Sequence, residues 1–390
     1  MSYRTIAARL GLVVLLGAAM AGPFAAVALA HGSTVPPEPT LATLVGGWSF
    51  DPTIALPLLA SLAVYLWLVR RVDRAHPANP VPRGQVACFV GALVAIEVAL
   101  QSGIEAYDTT LFSVHMVQHI LLLFVAAPLI ALSAPITLLL RAVDHRWRVG
   151  LIVPILHSRA LRVLAFPVVS WVVFAAVMWG THFSPLFEAA LEDPLVHDLE
   201  HLLFLGSALL FWWPVVGRDP GPWRMPHPAR IVYLFLQMPQ NTFLSVAIYG
   251  AGAPLYAHYA TLGRTWGPTV LADQQAAGAI MWVAGDLTFL VAILGVAAAW
   301  LRAEERDTAR REAHIDAQRA AIRDREVALA ARLATEGSVS GGQPGSGVDR
   351  SGPGRAGSGV DRAASGAGRA GSEVDRAGSG VNQAGSGVDR

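Results

Sequence analysis

The chain has 390 residues, 54% hydrophobic and only 15% charged, with a mean hydropathy of +0.47, which excludes an ordinary soluble domain and places it among polytopic membrane proteins whose first partner is the lipid bilayer. A net charge of +1 offers nothing to a nucleic acid, and no nucleic-acid partner is expected. The single cysteine, Cys88, excludes a disulfide framework and a Cys-x-x-Cys site, so a metal must be held by His, Met or carboxylates.

The N-terminus has the anatomy of a secretory signal. Arg4 and Arg9 precede an apolar stretch, and small residues follow up to Ala28-Leu29-Ala30. Cleavage after Ala30 leaves His31 at the mature N-terminus, where its amine and ring nitrogen suit copper; the alternatives are an uncleaved first span and a histidine with no role. Residues 31–301 then form the membrane domain. It contains seven apolar runs long enough to cross about 30 Å of hydrocarbon: roughly 53–69, 85–104, 114–140, 162–182, 195–216, 230–250 and 275–301. The expected fold is therefore all-α, a seven-span bundle after a signal peptide. Prolines 57, 128, 135, 167 and 239 inside these runs predict kinks.

Arginines set the orientation, for there is no lysine. Twelve lie in the loops 70–83, 141–162 and 218–230, against Arg264 alone in the alternate loops. The positive-inside rule makes the topology N-out, C-in. Beyond the last span, residues 302–336 alternate charges at helix-compatible spacing and read as a cytoplasmic helix. From Gly337 the chain turns Gly/Ser-rich, repeating Gly-Ser-Gly-Val-Asp-Arg at 345–350, 357–362 and 385–390, with so little to bury that disorder is expected over 337–390.

Function hangs on the histidines. His115/His119 open the third run and His197/His201 open the fifth, each pair one helical turn apart on a shared face. Both runs cross in the same direction, so all four imidazoles reach one layer, at the outer face, where His182 also ends the fourth run. Ionisable residues inside a membrane are expensive and mark function. One interfacial histidine is commonly structural; two His-x-x-x-His pairs on co-oriented spans point to ligation of copper, zinc or haem iron. Gln118, Asp198 and Glu200 are candidate acceptors around the rings, and Glu200 is also a candidate ligand. Met238 and Asn241 at mid-span, Asp273 at the start of the last run and Asp286 three turns deeper are supporting polar positions, with Asp286 read first as a helix tie. Met116, Met178, Met238 and Met281 are soft enough for Cu(I), though packing is their commoner role.

Four segments, His115-Met-Val-Gln-His119, His197-Asp-Leu-Glu-His201, Met238-Pro-Gln-Asn241 and Asp273-Gln-Gln-Ala-Ala-Gly278, resemble the signature segments of the multi-span CtaG-type assembly factors of caa-type cytochrome c oxidases. The resemblance covers about residues 45–301 and leaves the repeat tail out. It implies a non-catalytic role in maturing a haem–copper oxidase in the inner (plasma) membrane of a bacterial cell, with copper supplied to the catalytic subunit and received from a periplasmic donor.

Two rivals compete. His197-Asp-Leu-Glu-His201 satisfies the inverted zinc-protease pattern, with two ligands and Glu200 as base, but a third ligand and an open water position are also required. A haem electron carrier needs axial histidines from opposing helices, whereas an i,i+4 pair on one helix more naturally chelates a single ion.

Overall fold

A computed structural model describes residues 35–340. The signal-like N-terminus with His31 and nearly all of the Gly/Ser-rich repeat lie outside the described residues. Within them the chain is helical and contains no strand. Six helices are long and apolar enough to cross a membrane: Pro52–Ala75, Arg83–Asp108, Phe112–Ala142, Pro194–Val216, His227–Tyr249 and the helix that opens at Val270. Between the third and fourth of these, Pro167–His182 and Pro185–Glu192 together pass the same test but meet at 66°, giving seven spans when the pair counts as one. Its first arm of 16 residues rises about 24 Å, short of a full crossing. This is a multi-pass membrane protein, and the spans are numbered one to seven accordingly.

Local chemistry sets where the spans begin. Asp51 Oδ1 accepts from Thr53 N at 2.7 Å with Pro52 at the first helical position. Asp193 Oδ1 does the same for Leu195 and Val196 N at 2.8 and 3.3 Å, ahead of Pro194. The fifth span then ends on Gly217, left-handed at φ 61.

Several expected spans are less regular than their hydropathy implies. The second breaks at Ser102, whose hydroxyl accepts from Ile104 N and restarts a helix over Gly103–Asp108. The third widens into a π-helix over Leu121–Ala126 just before Pro128, which has no N–H for the ladder. It stops at Ser133, turns through Ala134 at φ 51 and restarts at Pro135. Pro135 and Pro167 therefore begin helices where kinks were expected, because a missing N–H costs nothing in a first turn. Pro57 and Pro239 do lie inside helices.

The bundle is apolar inside and out. Phe112, Phe174, Phe187, Phe204, Phe211 and Phe289 fill the core, while Leu59, Trp67, Leu199, Phe243, Val283 and Val291 stand exposed on its flanks. An exposed apolar belt of that extent suits a lipid solvent and no aqueous one. Spans six and seven approach closely at Gly278, where a Cβ would lie 2.9 Å from both Ser245 O and Tyr249 N. Among the described residues, 315–340 belong to a separate unit, helical throughout and almost entirely exposed through Leu333.

Candidate metal centre

Spans three and five each carry a polar i, i+3, i+4 set on one face: His115, Gln118 and His119, and His197, Glu200 and His201. All six side chains are buried, none more than 6% exposed. The ends of these helices that carry them lie opposite the arginine-bearing loops.

The two sets interdigitate. His115 Nε2 and His119 Nε2 are 2.9 Å apart, and Glu200 Oε2 lies 3.8 and 3.9 Å from them. Neither Glu200 oxygen has a hydrogen-bond partner, nor does Nδ1 of His115 or His119. Ring centroids separate His115 from His197 by 5.3 Å, His119 from His201 by 5.9 Å and His119 from His182 by 6.3 Å. His182 Nδ1 faces the Met178 carbonyl at 2.7 Å; a carbonyl only accepts, so Nδ1 carries the proton and buried Nε2 keeps its lone pair without a hydrogen-bond partner. His201 Nε2 meets Gln118 Oε1 at 3.2 Å, and Gln118 Nε2 donates to Glu105 Oε2 at 2.5 Å and to Ala99 O at 3.1 Å.

A carboxylate across the bundle holds the histidine helix in place. No side chain caps Phe112–Ile120 from within. Asp273 of the seventh span takes that role, accepting from Phe112 N at 2.7 Å through Oδ2 and from Ser113 Oγ at 2.5 Å through Oδ1. Aromatic rings wall the cluster: Phe187 packs on His115 and His182, and Phe204 on His119. Tyr256 donates to His182 O and Tyr259 to Asp108 O. Burial pushes both phenols above their ordinary value, so they remain donors.

Other expected members lie elsewhere. Asp198, half-buried, lines with His201 a separate apolar cavity of about 190 Å³ between spans one, two, three and five. Asp286 ties spans six and seven, accepting from Asn241 Nδ2 at 3.1 Å, Thr242 Oγ1 at 2.8 Å and Trp282 Nε1 at 3.1 Å. Met238 packs against the apolar core. None of these residues, Asn241 included, belongs to the group of His115, His119 and Glu200. Asp108 is the member that sequence reading passed over. It is 1% exposed, and its Oδ2 lies 3.4 Å from His197 Nε2. An acidic pair, Glu105 and Asp108, directly preceding a histidine pair was the available signal.

The geometry weighs on both rivals. Glu200 approaches His115 and His119, whereas His197 faces Asp108 and His201 faces Gln118, so the H-x-x-E-H segment does not converge on an ion of its own. Axial ligands on opposite faces of a haem iron stand roughly 4 Å apart. The 2.9 Å between His115 and His119 is too short for that, which excludes the same-helix pair and bears on no pair from opposing helices.

Residues 63–303 match the family described as cytochrome c oxidase caa3 assembly factor (Caa3_CtaG). The chain belongs to this family. It is also 30% identical over 299 residues to uncharacterized proteins of Mycobacterium bovis and Mycobacterium tuberculosis, and 30% identical over 296 residues to one of Mycobacterium leprae. Each match covers 73% of this chain and 44% of the relative, so the chain spans less than half the length of the curated relatives it matches. No solved structure matches it. The family's description names cytochrome c oxidase assembly.

Proposed function

We propose that this assembly factor binds copper in the buried histidine cluster and passes it to the catalytic subunit of a haem–copper oxidase, taking it from a donor on the periplasmic side of a bacterial inner membrane. The observation that carries the reading is the triad of His115 Nε2, His119 Nε2 and Glu200 Oε2. From their separations of 2.9, 3.8 and 3.9 Å, the point equidistant from all three lies about 2.1 Å from each, the length of a metal–imidazole or metal–carboxylate bond. A buried carboxylate with neither oxygen hydrogen-bonded is costly unless a cation compensates it, and Glu200 is such a carboxylate.

In this scheme copper is cargo. His115 and His119 hold it through Nε2, Glu200 supplies the counter-charge, and His182 offers a further lone pair beside His119. Asp273 fixes the helix on which the first two histidines stand, and Phe187 and Phe204 exclude water. With no thiol in the cluster, the ligands stay intact in an oxidising compartment. The arginine distribution supports a periplasmic position for the site.

Replacing His115 or His197 by alanine in cells is expected to lower the copper content and activity of the mature oxidase while the factor still inserts in the membrane. Normal oxidase maturation in both variants refutes the proposal.

A further inference from the structure

The cluster holds more donors than one ion needs. Asp108, His115 and His197 form a second buried triad whose ligand atoms also lie within 4.8 Å of one another, beside the triad of His115, His119 and Glu200. Asp108 Oδ2 and His197 Nε2 are 3.4 Å apart, the spacing of two donors on one ion with bonds of about 2.0–2.1 Å. His115 belongs to both triads: its Nε2 faces His119 and Glu200, and its Nδ1 is buried on the same ring. Each triad carries its own carboxylate, and among the described residues no arginine forms an ion pair with either Asp108 or Glu200. Both oxygens of Glu200 and Oδ2 of Asp108, whose Oδ1 accepts from Thr109 N, are buried with no hydrogen-bond partner, positions that a cation would compensate.

We propose that the cluster binds two copper(I) ions side by side, one held by His115, His119 and Glu200, the other by Asp108 and His197 with the remaining nitrogen of the His115 ring. This rests on the copper reading above. A ring serving both ions gives up its N–H, so the second ion releases one proton as it binds.

The test loads detergent-purified full-length protein anaerobically with Cu(I), removes unbound metal and measures copper per chain by mass spectrometry. Two equivalents are expected in the parent protein. Asp108→Asn and His119→Gln, both conservative in shape, are each expected to retain one, and the double variant none. One equivalent in the parent overturns the two-ion inference while the copper reading stands; no copper overturns both. Two equivalents in every variant assign the ions to other residues and also overturn the inference. The parent measurement decides even if a variant elutes as aggregate.

Discussion

Asp273→Ala removes the anchor of the histidine helix without touching a histidine. In the parent protein both carboxylate oxygens are engaged, one by the buried Phe112 N–H and one by the Ser113 hydroxyl, and Asp273 itself is 2% exposed. A hydrogen bond to a charged group contributes about 1.5–3 kcal/mol, and a buried N–H left without an acceptor costs about 1–3 kcal/mol. Alanine loses both bonds and strands the Phe112 donor, so a destabilisation of about 2–4 kcal/mol is expected. Asparagine keeps a carbonyl for Phe112 N and an amide that can donate to the Ser113 oxygen; losing only charge assistance, it costs about 1 kcal/mol. Denaturant unfolding in detergent, followed by circular dichroism, measures both. Copper affinity is expected to fall in the same order, because a helix free to shift at its first turn moves His115, one turn beyond Phe112. Equal stability and equal copper binding in the two variants refute the anchoring argument.

Three further outcomes are expected. Gly278→Ala destabilises by about 1–3 kcal/mol, since its Cβ meets backbone atoms of Ser245 and Tyr249 that cannot turn aside, whereas Gly295→Ala, with open space around it, does not; unfolding curves of the pair check this. Asp286→Ala frees the Asn241, Thr242 and Trp282 donors and lowers the unfolding midpoint, yet leaves copper loading of the folded fraction unchanged; loss of copper in folded protein would make Asp286 part of the site. Truncation after about residue 335 leaves membrane insertion and oxidase maturation intact, because the Gly/Ser-rich sequence beyond it has almost no apolar side chains to bury, and failed maturation would reveal a partner for the tail.

The spans and the histidine pairs were legible because each rests on a local rule: about twenty apolar residues for a crossing, and four residues between side chains on one helical face. The same rules explain what escaped. Hydropathy over 114–140 is unbroken, so it does not register Ala134, whose left-handed turn depends on the proline that follows. It also reads 162–182 as one crossing, although the chain bends sharply between His182 and Pro185. Asp108 escaped because its neighbours come from far along the chain: His197 faces its carboxylate and Tyr259, 151 residues away, donates to its carbonyl. Asp198, beside His197 in sequence, points into a different cavity: neighbours at i and i+1 do not share a helix face. Asp273 was visible as a polar opening to the last span, but its partners Phe112 and Ser113 belong to a helix 160 residues earlier, a pairing no local pattern encodes.

Metal content decides whether the histidine cluster holds copper. Full-length protein purified in detergent and loaded anaerobically with Cu(I) is compared with the quadruple His115/His119/His197/His201→Ala variant. Copper bound in stoichiometric amount by the parent and lost in the folded variant is the predicted result. Negligible copper in both contradicts the account and leaves only a scaffolding role in oxidase assembly, and zinc in its place points back to the hydrolase.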